Sequence, residues 1–368
     1  MTETRRIVIK VGSSTLTSPT GGLDVDYIRT LVDALASLVG SGWSPVLVSS
    51  GAIAAGIEAL GLDSRPSDMP SLQAAASIGQ VRILQQYSDM FESYDMPIGQ
   101  ILLTRRDTAH RPSYLNAKNT FDRLISLGVV PVVNENDSIA VEEIRFGDND
   151  TLAALVAVMI KAELVLFLTD IEGLYTSDPR TDSEAELLTD VDEITDSVLE
   201  CAGGAGTSIG SGGMATKVKA AKLLMRAGIP LVVCDGRRPG VIVAAAQGEA
   251  VGTRFAADGE TISARKLWIA MAGSPSGAII IDDGARQAIV GKGSSLLPAG
   301  VVSIEGSFSV GDTVILKDSL GNLLAQGLTR MSSVDLDAVK GLKSAEILHA
   351  RPSVAGKEVV HRDHLVVF

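Results

Sequence analysis

The chain has 368 residues, 46% of them hydrophobic and 4% aromatic, so it can bury a sizeable core and is too long for one small domain. Its net charge of -12 argues against a protein built mainly to coat nucleic acid, whose phosphates would repel it. The cysteines, Cys201 and Cys234, make no disulfide framework and fit a reducing compartment.

The opening residues, MTETRRIVIKVG, lack the apolar segment of a signal peptide. The longest plain apolar run, Leu152–Ile160, has nine residues, whereas a bilayer span needs about 20. A cytoplasmic protein without membrane contact is expected. Along the chain, short β-branched runs alternate with helical patterns. RIVIKV comes first, then SPVLVS before the helix SGAIAAGIEALG, then MPIGQILLT and VVPVVN. ELVLFLTD follows the helix TLAALVAVMIKA, and IPLVVCDG follows the helix ATKVKAAKLLMRAG. Strands this apolar are buried on both faces. Their alternation with helices predicts an α/β fold with a doubly wound, mainly parallel sheet. Ligands bind at the carboxyl ends of such strands, which selects Lys10 to Gly12, Ser49 to Gly51, Asn134 to Asp137, and Thr169 with Asp170. Gly273 to Gly277 has linker composition. Beyond it, GAIIID, VVSIEG, DTVILKD and LLAQGLTR read as short strands between turns. The expected division is 1–262 for the α/β domain, 263–275 for a linker and 276–368 for a small β-rich domain.

Several stretches carry candidate chemistry. Gly206, together with Gly210, Gly212 and Gly213 of the stretch IGSGGMATKVKAAKLLMRAG, precedes a helix with Lys217 in its first turn. Glycines let backbone N–H groups approach phosphate, and a helix N-terminus adds roughly half a positive charge. Lys217 follows Thr216 rather than Gly, so this is no Walker A motif, and the stretch reads equally as a flexible loop with a surface lysine. Lys10 ends an apolar strand, where burial is costly unless it meets an anion. Asp170 sits at another strand end and could orient both lysines. In VNENDSIAVEEIRFGDND, Asp150 precedes a helix and by itself reads as its N-cap. That role leaves Asn134, Asp137, Asp148 and Asn149 unexplained. Carboxylates and amides converging at strand ends suit an ammonium group, and carboxylates near phosphates suit Mg²⁺ with retained waters. His361 and His364 have metal-like spacing without supporting ligands, and Ser49-Ser50-Gly51 lacks the nucleophile elbow of a hydrolase.

Two lysines, a glycine loop on a helix N-terminus and acidic residues in a strand-end cleft describe phosphoryl transfer from a nucleotide. No general base is evident. A carboxylate acceptor, with an ordinary pKa of about 4.3, would need none.

The motifs KVGSS, VSSGAIAAG, PVVNENDSIA, FGDNDTLAALVA, LTDIEGLYTSDPR and GSGGMATKVKAA resemble those of the amino acid kinase superfamily, and within it the glutamate 5-kinase family. The tail, with GSSLLPAGV, resembles the PUA domain that many bacterial members carry. The resemblance implies phosphorylation of the γ-carboxylate of L-glutamate with ATP and Mg²⁺, the first step of proline biosynthesis. It implies that Lys10 and Lys217 stabilise the transferring phosphoryl group and that Asp170 orients them. Thr169 and the segment Ser211, Gly212, Gly213, Met214, Ala215, Thr216 and Lys217 would contact ATP. Ser50, Asp137 and Asn149 would hold glutamate, with Asn134 nearby, and Asp148 and Asp150 would support Mg²⁺ or the substrate amine. It also implies proline as feedback inhibitor, a glutamyl phosphate reductase as the partner taking the product, and a homo-oligomer. The alternatives are a kinase for aspartate or N-acetylglutamate, or an RNA-binding protein acting through the tail. From Ala270 to Phe368 nine Lys and Arg stand against ten Asp and Glu, with no basic stripe for RNA.

Overall fold

The computed structural model describes residues 4–18, 21–104, 107, 111–139, 149–203, 213–257 and 275–367. They fall into two compact units. The first comprises Met1–Thr104 with Asn116–Thr261, and the second Arg105–Leu115 with Ile262–Phe368.

In the first unit the strands are β1 (Arg5–Val11), β2 (Trp43–Ser49), β3 (Ile98–Leu103), β4 (Val130–Glu135), β5 (Leu164–Thr169), β6 (Asp190–Val191), β7 (Leu231–Asp235) and β8 (Thr253–Phe255). The helices are α1 (Ser13–Leu16), α2 (Val25–Gly40), α3 (Ala52–Ala59), α4 (Met69–Glu92), α5 (Arg111–Ser126), whose residues up to Leu115 belong to the second unit, α6 (Asn149–Ile160), α7 (Asp196–Cys201), α8 (Met214–Arg226) and α9 (Val241–Gln247). The strands form one sheet in the order β3-β4-β2-β1-β5-β7-β8-β6. All neighbours run parallel except the β7–β8 pair. The expected parallel α/β sheet is present, with β1 at its centre between β2 and β5.

Burial explains the strand composition. From Ile7 to Val11 every residue of β1 is buried, because a central parallel strand has helices on both faces. Ile7, Ile9 and Val11 pack with Ile28, Leu31, Leu35 and Leu38 of α2 in the main core. Asp24 starts that helix by accepting a hydrogen bond from Tyr27 N at 3.0 Å, and Asp68 starts α4 in the same way through Ser71 N at 3.0 Å. Leu152–Ile160 is apolar all round because every one of its residues is buried.

One contact sets the depth of α4. A Cβ on Gly79 would lie 1.7 Å from the Ala52 carbonyl oxygen, and one on Gly56 would lie 1.8 Å from that of Ala75. Only glycine lets the α3 and α4 backbones approach this closely. α3 begins directly after Gly51, whose φ of 93° lies in the left-handed region, so the contact ties α4 to the end of β2.

In the second unit β9 (Gly277–Ile281), β10 (Val301–Gly306), β11 (Thr313–Lys317), β12 (Leu323–Thr329) and β13 (Val360–Val367) form a second sheet, ordered β10-β9-β11-β12-β13. β9 and β11 are parallel, and the remaining neighbours are antiparallel. Val314, Leu316, Val360 and Leu365 belong to a separate core. The segment His361 to His364, noted for its spacing, is part of β13. His361 Nδ1 there accepts a hydrogen bond from Asp363 N at 3.1 Å. No helix among the described residues is long and apolar enough to cross a membrane.

Candidate active site

The carboxyl ends of β1, β2, β4 and β5 converge as the strand-end rule requires, and two chemically distinct clusters form there. The first is cationic. Lys10 and Lys217 are buried, at 4% and 5% exposure, and Asp150 is fully buried between them. Lys10 Nζ lies 2.6 Å from Asp150 Oδ1 and Lys217 Nζ 3.2 Å from Asp150 Oδ2. Thr216 Oγ1 donates to Asp150 Oδ2 at 2.7 Å. Burial alone would raise the Asp150 carboxyl, but the lysine charges and the Thr216 hydroxyl hold it below the usual carboxylate range. It is therefore ionised, and the three charged groups sum to one positive charge. Burying that charge is costly unless an anion joins it.

Lys217 projects from the first turn of α8. Gly213 is the N-cap of that helix and offers no side-chain cap, and Met214, Ala215 and Thr216 complete the turn. A helix start without a side-chain cap, beside a buried ammonium, is suited to phosphate oxygens. Ser211 and Gly212, like Gly206 and Gly210, lie outside the described residues.

This geometry revises two expectations. Asp150 is not the N-cap of the following helix. α6 begins at Asn149, Asp150 lies in its first turn, and the carboxylate is directed at the lysines. The carboxylate touching both lysines is accordingly Asp150. Asp170, expected in that role, is exposed beyond the end of β5 and accepts a hydrogen bond from Thr169 Oγ1 at 3.1 Å.

The second cluster is made of amides. Asn149 and Asn134 are buried, at 7% and 3% exposure. Asn149 Nδ2 points at Ser50 Oγ at 2.9 Å, Asn134 Oδ1 at 3.0 Å and the Ser49 carbonyl at 3.2 Å. Asn134 Oδ1 also accepts from Glu135 N at 2.9 Å, and Asn134 Nδ2 donates to Gln80 Oε1 at 2.8 Å. Asn149 Oδ1 is buried with no hydrogen-bond partner among the described residues. Gln80 was not singled out from the sequence, where it is one more polar residue on a helix. Only its packing depth brings it to Asn134.

Asp137 follows β4 and lines a cavity of about 530 Å³ together with Gln80, Leu102, Glu135, Asn136 and Ser138. Burial pushes its carboxyl up to about 6, against the lowering pull of the Arg65 charge. A half-buried carboxylate raised in this way favours a cationic partner. Of the expected substrate residues, Ser50, Asn134 and Asn149 are brought into one network, and Asp137 stands beside the same strand end. Asp148 lies outside the described residues.

No group of three His, Cys, Asp or Glu side chains suited to a metal ion occurs among the described residues. Both oxygens of Asp150 are engaged by ammonium groups.

Residues 5–235 match the amino acid kinase family and residues 277–350 match the PUA domain. The glutamate 5-kinase of Geobacter sp. (strain M21) is 44% identical over 363 residues, covering 99% of this chain and 97% of that protein. The glutamate 5-kinase of Trichlorobacter lovleyi is 46% identical over 365 residues, covering 99% and 97%. That of Vibrio parahaemolyticus is 44% identical over 367 residues, covering 100% and 97%.

Proposed function

The chain belongs to the amino acid kinase family and, within it, to the glutamate 5-kinase family, and on that premise we propose that it transfers the γ-phosphoryl group of ATP to the γ-carboxylate of L-glutamate. The product is L-glutamyl 5-phosphate, and the reaction is the first step of proline biosynthesis. The observation that carries the proposal is the buried pair of ammonium groups, Lys10 and Lys217, held by one carboxylate at strand ends beside a helix N-terminus.

A carboxylate oxygen of glutamate attacks the γ-phosphorus, the bond from that phosphorus to the ADP oxygen breaks, and the electron pair leaves with ADP. No proton is removed, because the acceptor is already ionised at neutral pH, its ordinary pKa being about 4.3. The difficulty is bringing one anion onto another. Lys10 and Lys217 offset that repulsion, and they do most where charge spreads over the transferring oxygens in the transition state. Asp150 keeps the two ammonium groups a fixed distance apart, so little reorganisation is needed when the phosphoryl group arrives. Thr169 and Asp170 at the end of β5, with the segment from Ser211 to Lys217, would line the nucleotide side.

Glutamate would bind at the amide cluster. The Ser50 hydroxyl, accepting from Asn149, keeps its own proton to donate to a substrate carboxylate. Asn149 Oδ1 and the Asp137 carboxylate receive the α-ammonium. Proline carries the same ammonium and α-carboxylate and would compete there as feedback inhibitor. Magnesium would enter with the ATP phosphates, retaining waters. Asp148 remains a candidate ligand, whereas Asp150 is committed to the lysines. The labile acyl phosphate calls for a glutamyl phosphate reductase to consume it. A cytoplasmic homo-oligomer, with a kinase domain over 1–262 and a PUA domain over 276–368, completes the reading.

The test is an assay with ATP and Mg²⁺ and, in parallel, L-glutamate, L-aspartate and N-acetyl-L-glutamate, following ADP release and trapping acyl phosphate with hydroxylamine. Hydroxamate should form with glutamate far faster than with the others. Preference for another acceptor, or ADP release without hydroxamate, would overturn the assignment.

A further inference from the structure

The amide cluster has a polarity, and its far end lies on a helix outside the substrate residues. A carboxamide has one acceptor oxygen and two N–H donors. Asn149 turns its Nδ2 toward three acceptors, the Ser49 carbonyl, Ser50 Oγ and Asn134 Oδ1. Reversing it would set oxygen against oxygen at the Ser49 and Asn134 contacts. The Ser49 carbonyl acts independently, whereas the Asn134 part of the constraint holds only while Asn134 presents its own oxygen. The Asn134 orientation is set by Glu135 N, which donates to Oδ1, and by Gln80 Oε1, which accepts from Nδ2. Reversing Asn134 would bring two oxygens together at Gln80 and two donors together at Asn149. Gln80 thus terminates a relay that leaves Asn149 Oδ1 as a buried acceptor without a protein donor among the described residues. The relay is seated by backbone packing, because Gly79, the residue before Gln80, lies directly on the Ala52 carbonyl.

We infer that Gln80 is a positioning residue for substrate specificity: through Asn134 it holds Asn149 Oδ1 as an acceptor, and so selects a dicarboxylate bearing an α-ammonium group over one lacking it. This rests on the proposed binding of glutamate by Asn149. It extends that reading to a side chain on α4 that reaches Asn149 through Asn134 and also lines the cavity beside Asp137.

The test uses the full chain and two probes, L-glutamate as substrate and glutarate, the same dicarboxylate without the amino group, as competitive inhibitor. Gln80→Met keeps the length of the side chain and removes the acceptor. Gln80→Glu keeps an acceptor oxygen for Asn134. In Gln80→Met the KM for glutamate should rise roughly tenfold, the scale of one lost hydrogen bond to a buried donor. The glutarate inhibition constant should stay within about twofold and kcat within about threefold. Gln80→Glu should return the glutamate KM to within about threefold of the starting protein. Gln80→Ser, polar toward the cavity but too short to reach Asn134, gives the same readout if the methionine unsettles the fold. An unchanged glutamate KM, or glutamate and glutarate weakened in equal proportion, overturns the relay. Asn149→Ala separates the two layers. If it leaves the glutamate KM unchanged, the binding reading itself fails, and if it raises KM while Gln80→Met does not, only the relay fails.

Discussion

Replacing Asp137 by Asn should stabilise the protein and cripple it for glutamate at the same pH. The carboxyl is pushed by burial from an ordinary 3.8 to about 6. At roughly 1.4 kcal/mol per pH unit, that rise corresponds to about 3 kcal/mol spent on keeping the group ionised. The sign follows from proton binding. Between 3.8 and about 6 the folded state holds the proton more tightly than the unfolded chain, so stability from this group falls as pH rises through that window. At pH 8 the full penalty applies, and the neutral, near-isosteric Asn removes it, raising the melting temperature of the kinase unit by several degrees. The gain should fade as pH drops from about 6 to 4. Loss of a charge-assisted contact to the α-ammonium costs about 1.5–3 kcal/mol, so the glutamate KM should rise by roughly 10- to 150-fold while ATP KM changes little. In the unmutated protein, kcat/KM for glutamate should fall by about tenfold per pH unit below about 6, where the free enzyme protonates this carboxylate. Melting curves and initial rates at pH 5, 6 and 8 test all of this. A variant with unchanged glutamate KM, or one destabilised at pH 8, would refute the reasoning.

Three further outcomes follow from the cationic cluster and the domain division. Lys217→Ala should lower kcat by about 100-fold or more with a smaller change in ATP KM, and near-normal turnover would remove its phosphoryl-stabilising role. Asp150→Asn takes away the carboxylate that both ammonium groups contact, so it should lower both stability, by about 3–5 kcal/mol, and kcat; a fully active variant of unchanged melting temperature would show that the lysines need no such brace. A chain ending at residue 262 should fold and phosphorylate glutamate, since every proposed site residue precedes that point. A soluble, folded truncation without activity would show that the second unit contributes to the site.

The β-branched runs determined the parallel sheet from the sequence, because strands buried on both faces must be apolar throughout, and the strand-end rule then selected Lys10, Ser50, Asn134 and Thr169. The glycines before Lys217 marked the helix start by the same local logic. Pairing across the cleft was decided only by tertiary structure. Asp150 lies 67 residues from Lys217, and its local role as an N-cap was physically reasonable. The first turn of α6 brings the Asp150 carboxylate to the lysines, whereas Asp170, just beyond the end of β5, is exposed. His361 to His364 had the spacing of ligands and became strand residues, because β13 completes a sheet edge beside β12. Gln80 carried no signal at all. Its function depends on two glycines letting α3 and α4 touch backbone to backbone, a contact between segments that periodicity describes separately and only packing joins.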